Sequence, residues 1–87
     1  MRGVILLGDP TSHGGTVVSA SSHVSVHGKP VARLGDRCTC PIAGHHNCVI
    51  VEGDPDVLID GIPVAFAGQK TSCGAVLISS TSTTGRG

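Results

Sequence analysis

The sequence lacks nearly all of the aromatic side chains that usually dominate small hydrophobic cores, since Phe66 is its one aromatic residue among 87. A single domain of this length buries little surface, so apolar packing alone gives it limited stability. Natural domains of this size add disulfides, a structural metal or a docking partner. Four Cys and five His keep the first two possibilities open.

The sequence also lacks an excess of charge of either sign, because six basic side chains balance six acidic ones. This balance argues against nucleic acid or an anionic membrane surface as a stable partner. Long hydrophobic runs are missing as well, and the apolar run at residues 4–7 is too short for a signal-peptide core or a membrane span. We therefore expect a protein made in the cytoplasm, where reducing conditions favour metal binding by Cys and His over disulfides.

What the sequence does contain is an internal repeat. A shift of 33 positions carries residues 28–32 onto residues 61–65 and carries Cys40 onto Cys73. Apolar and polar residues alternate within each copy, and 13 Gly and 5 Pro interrupt the chain, with no helical periodicity. The sequence therefore predicts an all-β domain of short strands and hairpins built from repeats.

Each copy is predicted to form a strand, a tight turn and a return strand. The turns fall at His27-Gly28 and Asp60-Gly61, where a two-residue hairpin needs positive φ. Return strands are expected at residues 31–34 and 64–67, and further strands at residues 3–7, 16–19, 49–52 and 75–79. The polar end of the chain predicts a domain over residues 1–79 followed by a flexible tail over residues 80–87.

Three turns of similar sequence each end in a potential metal ligand, five positions after a Gly. These ligands are His13, Cys40 and Cys73. We expect equivalent turns to bring the three side chains to one axis, where tetrahedral zinc needs a fourth N or S ligand. His45 and His46 both follow Cys40 closely enough to supply it from an irregular loop.

Spacing alone leaves other uses of these residue types open. A four-cysteine site would consist of Cys38, Cys40, Cys48 and Cys73, although one residue between the first two is tighter than the usual zinc spacing. If histidines ligate instead, we expect Cys38 and Cys48 to be unligated, in contact or joined as a disulfide. His23 and His27 are predicted at the surface. The aspartates fall in turns, where local hydrogen bonding explains them, so we expect no catalytic site and no enzyme.

The repeats resemble the proline-alanine-alanine-arginine (PAAR) repeat family from residue 4 to residue 79. The resemblance is carried by "GDPTSHGGTVVSASS", "HGKPVARLGDRCTCP", "GHHNCVIVEGDPDVLIDGIPVAFAG" and "KTSCGAVLIS". The motif itself is similar to "PVAR" at residues 30–33 and, more weakly, to "PVAF" at residues 63–66, where Phe66 replaces the arginine. The resemblance implies a small cone-shaped domain with pseudo-threefold repeats and a structural zinc ion near its apex, held by His13, Cys40, His45 and Cys73.

The resemblance further implies a structural protein that caps and sharpens the trimeric valine-glycine repeat spike of a bacterial type VI secretion system. One tip would cap each trimer, aiding membrane puncture and delivery of effector proteins, which are further expected partners. Such a tip would assemble in the bacterial cytoplasm and leave through the apparatus, touching the target membrane only transiently. The alternative is a stand-alone small zinc-binding or redox protein of the cytosol, and a Cys/His hydrolase is a third hypothesis.

Overall fold

The computed structural model describes residues 2–40, 48–81 and 85–86. In this part of the chain the backbone forms short strands and isolated bridges without any helix, so the predicted all-β class is confirmed and no helical segment could cross a membrane. The strands are β1 (Arg2–Gly3), β2 (Ser25–Val26), β3 (Lys29–Pro30), β4 (Arg37–Cys38), β5 (Cys48–Val49), β6 (Asp54–Ile59), β7 (Ile62–Val64) and β8 (Gly85–Arg86). They pair as antiparallel β1–β8, β2–β3, β4–β5 and β6–β7.

The hairpins β2–β3 and β6–β7 have the two-residue turns that the sequence predicts. His27 and Asp60 have φ angles of 53° and 54°, and Gly28 and Gly61 follow with 80° and 77°. Positive φ at both central positions is the type I′ geometry, whose twist matches the twist of the flanking strands. Both return strands begin directly after these turns, earlier than the sequence suggests.

The longer strands expected elsewhere are reduced to short ladders and single bridges. Val4 forms a bridge with Phe66, whereas Leu6, two residues later, forms a bridge with Val31. The segment at residues 3–7 therefore changes its neighbour within two residues, which stops each ladder after one pair. Frequent exchange of neighbours is expected when short strands wrap around a common axis rather than lie in one flat sheet.

Backbone hydrogen bonds show that the axis has pseudo-threefold symmetry. The Ile5 NH donates to the Ala65 carbonyl at 3.0 Å, the Ala32 NH to Ile5 at 2.8 Å, and the Ala65 NH to Ala32 at 3.1 Å, which closes a ring. All three residues have 0% exposure. A second set of three bonds joins the units in the opposite direction, with Val18 donating to Arg37, Val51 to Lys70, and Ile78 to Pro10. The predicted pseudo-threefold repeat is therefore present in three dimensions.

A glycine turn of the same design starts each of the three units. The residue after each Gly returns its side chain to the backbone: Asp9 accepts from the Leu6 NH at 2.8 Å, Asp36 from Arg33 at 2.7 Å, and Gln69 from Phe66 at 2.8 Å. Such side-chain acceptors stabilise tight turns without a neighbouring strand. The turns direct each unit towards the cluster of His and Cys side chains described below.

The buried apolar residues form two clusters. The axial cluster contains Ile5, Val17, Ala32, Cys38, Cys48, Ile50, Ala65 and Leu77. The second cluster contains Val4, Leu6, Val31, Val64 and Phe66, with hydrophobic residues of the two hairpins packed against it. Val17, Ile50 and Leu77 occupy equivalent positions and are each 1% exposed, so the small core also follows the pseudo-symmetry.

The described ends of the chain contact the body and each other. β1 pairs with β8, with Arg2 opposite Arg86 and Gly3 opposite Gly85. The Ser80 hydroxyl also donates a hydrogen bond to the buried Asp9 carboxylate. These contacts do not test the predicted boundary at residue 79, so that boundary and the flexible tail over residues 80–87 stay predictions.

Candidate metal centre

The structure brings His13, Cys40 and Cys73 together around the pseudo-threefold axis. Their ligand atoms all lie within 4.8 Å of one another. His13 Nδ1 lies 3.7 Å from Cys40 Sγ and 4.0 Å from Cys73 Sγ. Each of the three side chains is half-buried. The protein therefore fixes the three side chains but leaves them accessible to an ion from solvent.

The residues before the three ligands show that the ligands are structurally equivalent. The NH of the residue before each ligand donates to the carbonyl of a neighbouring unit: Ser12 to Val76, Thr39 to Thr16, and Ser72 to Val49. The hydroxyl of the same residue accepts a hydrogen bond from the NH of the same partner. Ser12, Thr39 and Ser72 therefore fix the ligand positions, a role that the sequence analysis missed. The signal was a hydroxyl residue immediately before each ligand.

The separations within the cluster fit a tetrahedral metal ion. Zinc bonds of about 2.0–2.3 Å to nitrogen and sulfur place neighbouring ligand atoms about 3.3–3.8 Å apart. The observed 3.7 Å and 4.0 Å require only a small contraction around an ion. Two cysteine sulfurs and one imidazole are also the donor types that structural zinc sites use. This cluster could therefore hold a metal ion.

The remaining predicted ligands and their alternatives lie in different places. His45 and His46 are outside the described residues, so the choice between them stays a prediction. Cys38 and Cys48 lie opposite each other in the β4–β5 ladder as free thiols.

His23 and His27 are exposed and do not belong to the described ligand cluster. His23 instead has its Nδ1 2.6 Å from Asp60 Oδ2.

A layer of small side chains lies on the core side of the ligands. Gly15, Cys48 and Ala75 are buried, and Cys48 and Ala75 are 2% and 1% exposed. Gly15 and Ala75 are equivalent because their carbonyls accept from the Thr11 NH and the Thr71 NH. Cys48 pairs with Cys38, which takes the place of these threonines in its unit. Cys48 is therefore the member of this layer whose side chain carries a reactive group.

Hydrogen bonds around Cys73 favour its ionised form. Burial alone would raise the pKa of the Cys73 thiol, but hydrogen bonds with Cys48, Thr71 and the Ala75 backbone outweigh burial and lower that pKa to about 6. Thr71 Oγ1 lies 3.1 Å from the Cys73 sulfur. The hydrogen bond to Cys73, followed by burial, raises the pKa of Cys48 to about 12. Cys73 is thus the more readily ionised thiol of the pair, and Cys48 is the hydrogen-bond donor to it.

The metal-free protein should become more stable as the pH rises from about 6 towards 8. The folded pKa of Cys73 is about 6 and its ordinary value is 9.0, so the unfolded chain binds more protons in this range. This stabilisation is complete above the unfolded pKa and is lost as the pH falls through about 6. Urea unfolding of chelator-treated protein should show a slope of at most about 1.4 kcal/mol per pH unit. An undiminished slope in Cys73→Ser would contradict the assignment.

A family model described as the PAAR motif matches residues 7–79 of the chain. The matched segment includes both type I′ hairpins and the ligands His13, Cys40 and Cys73. No curated protein matches the chain significantly.

Proposed function

Because the chain belongs to the PAAR motif family, we propose that it caps and sharpens the trimeric valine-glycine repeat spike of a bacterial type VI secretion system. The PAAR motif is associated with the spike tips of these systems. The observation that carries the proposal is the pseudo-threefold ring of hydrogen bonds among Ile5, Ala32 and Ala65. A single chain that repeats its backbone three times around an axis can make three similar contacts with a threefold trimer.

A ring of exposed apolar side chains supports this partner. Val18, Val51 and Ile78 occupy equivalent positions and are 50%, 48% and 46% exposed. Each directly follows a core residue that is 1% exposed, so its backbone position is fixed by the core. Three matched apolar side chains would be buried together against a threefold surface, which is the favourable term in most protein association. We call these three residues the apolar ring and propose that they contact the spike.

In the proposed tip the ligand cluster holds a structural zinc ion. Thiolate and imidazole ligands suit zinc, and His45 would supply the fourth ligand in the proposed set of His13, Cys40, His45 and Cys73. Four protein ligands leave no position for a substrate, which is typical of structural rather than catalytic zinc. The ion would fix three converging turns whose side chains are too exposed to form an apolar core.

We further propose that the protein is not an enzyme. It would assemble with the spike in the bacterial cytoplasm and leave through the secretion apparatus, to the outside or into a target cell. It would meet the target membrane only during puncture, and effector proteins would be further partners. The formal net charge of zero gives no support for a nucleic-acid partner.

A binding experiment with a purified spike trimer tests this proposal. We expect a complex of one tip and one trimer by size-exclusion chromatography and native mass spectrometry. The triple variant V18D/V51D/I78D should weaken binding at least about a hundredfold, because it places charge in an apolar contact. Leu58→Asp is the matched control, since Leu58 is 54% exposed on β6, outside the apolar ring.

Different results would refute the spike as the partner and the apolar ring as the contact surface. A tip that stays monomeric beside the spike trimer and exchanges its metal readily would instead support a stand-alone zinc or redox protein. A triple variant with an unchanged melting temperature and unchanged binding would refute the apolar ring as the contact surface. Binding lost equally in Leu58→Asp would also refute the apolar ring, because the loss would then not be specific to it.

A further inference from the structure

Cys48 is a reactive side chain that the proposed ligand set does not use. It is 2% exposed and lies on β5, between β4 on one side and the segment leading to Cys73 on the other. Its equivalents in the other units, Gly15 and Ala75, show that the fold does not require a thiol at this depth. Cys48 is hydrogen-bonded to the candidate ligand sulfurs of Cys73 and Cys40, and a thiol in this position calls for a chemical explanation.

The strand register places Cys48 beside Cys73. Ile50 forms an antiparallel bridge with Thr71, and the Ser72 NH donates to the Val49 carbonyl at 2.7 Å. Continuing the register of the Ile50–Thr71 bridge by two residues on each strand puts Cys48 opposite Cys73. Residues opposite each other in such a pair have Cβ atoms about 4.5–5.5 Å apart. A disulfide needs about 3.5–4.5 Å, so a modest local adjustment suffices.

We propose that Cys48 is the internal partner that forms a disulfide with Cys73 when the site holds no metal and a peroxide is present. This inference depends on the proposed metal site only because a bound ion would occupy and protect the Cys73 sulfur. It does not depend on the proposed spike. The disulfide removes one ligand from the cluster, so oxidation and metal binding exclude each other.

The chemistry balances with hydrogen peroxide as the oxidant. The half-buried Cys73 sulfur attacks one peroxide oxygen, the O–O bond breaks, and Cys73 sulfenic acid and one water are formed. The buried Cys48 sulfur then attacks the sulfenic sulfur, the S–O bond breaks, and the S–S bond forms with release of a second water. Two thiols are oxidised and one peroxide is reduced, with both thiol protons leaving in the water molecules.

Cys40 is the competing partner, because its sulfur also lies in the ligand cluster. Its segment, however, pairs with the first unit, where the Thr39 NH donates to the Thr16 carbonyl at 2.8 Å. Cys40 and Cys73 therefore face each other across the axis, whereas Cys48 and Cys73 lie on adjacent segments of one ladder. Joining Cys40 to Cys73 would draw two units together, but joining Cys48 to Cys73 preserves the existing register.

Oxidation of the chelator-treated full chain tests the proposal. After hydrogen peroxide, mass spectrometry of unreduced peptides should show the Cys48–Cys73 linkage as the main disulfide. Zinc binding, measured against a chromophoric chelator, should fall at least about tenfold and return after dithiothreitol. Zinc-loaded protein should resist the same treatment. A main linkage between Cys40 and Cys73, or between Cys38 and Cys48, would overturn the proposal.

Two variants carry residues that the other units already have at the equivalent positions. Both should therefore fold, so a changed oxidation product would not result from misfolding. Cys48→Ala introduces the residue found at position 75, and Cys38→Thr introduces the residue found at positions 11 and 71. Without its partner thiol, Cys48→Ala should lose zinc binding irreversibly, with Cys73 oxidised beyond the sulfenic acid. Cys38→Thr should behave like the parent protein. A loss of zinc binding in Cys48→Ala that dithiothreitol fully reverses would contradict the role of Cys48.

Discussion

Replacing Cys73 with Ser should remove the bound metal and lower the free energy of unfolding by at least about 3 kcal/mol, because structural zinc binding is coupled to folding. His13→Ala should have an effect of similar size, since both side chains belong to the same ligand cluster. The small aromatic-poor core offers little other stabilisation beside the ligand cluster. Elemental analysis of each purified variant and its thermal melt, with and without a chelator, measure the effect.

The matched control is His23→Ala, which removes an imidazole far more exposed than the ligands. The His23 side chain is 68% exposed and faces Asp60, and such surface pairs contribute about 0–1 kcal/mol. The chelator should lower the melting temperature of the parent protein and of His23→Ala, but not that of Cys73→Ser. Parent protein that melts at the same temperature with and without chelator would contradict a structural metal.

The local features of this fold were predictable because local residues determine them. His27-Gly28 and Asp60-Gly61 predict type I′ turns, and both have the expected φ angles. The repeat predicts that His13, Cys40 and Cys73 converge, and the structure places their ligand atoms within 4.8 Å. These predictions needed only the conformational freedom of Gly and a count of residues between turn and ligand.

Features that depend on contacts between units were not predictable in the same way. The turn sequences align His13 with Cys40, whereas the 33-residue shift carries His13 onto His46, and the hydrogen bonds of Ser12 and Thr39 show that the first alignment holds. The reason is a longer connection in the second unit: Ser12 precedes Thr16 by 4 positions, but Thr39 precedes Val49, the equivalent of Thr16, by 10. A fixed shift cannot follow such an insertion.

The strand lengths and the position of Cys48 could not be predicted from the sequence, because both depend on which other unit each segment contacts. Alternating apolar residues predict extended backbone but do not say how often a strand changes its neighbour. Closure of the ring through Ile5, Ala32 and Ala65 is a contact between units far apart in sequence. Small residues at two of these axial positions are its sequence signal, because two alanines and one isoleucine fill a space that three large side chains would overfill.

A second large effect on stability is expected from substitution of Gly15, which belongs to the layer of small buried residues beside the ligands. A Cβ atom added there would overlap the backbone carbonyl of Thr39, whose carbonyl carbon would lie 2.7 Å away. Backbone of the neighbouring unit would have to move, and Thr39 directly precedes the ligand Cys40. Gly15→Ala should therefore destabilise the protein by about 3 kcal/mol or more and weaken metal binding at the same time.

Gly8→Ala separates this close approach from the general effect of replacing a glycine. Gly8 has a φ of 89°, but an added Cβ would meet no atom within 4 Å. The expected cost is backbone strain of about 1–2 kcal/mol with metal content unchanged. Urea unfolding and elemental analysis of both variants make the comparison. If Gly15→Ala retained full metal content and lost no more stability than Gly8→Ala, the packing of the first unit against Thr39 would not be what holds Cys40 in place.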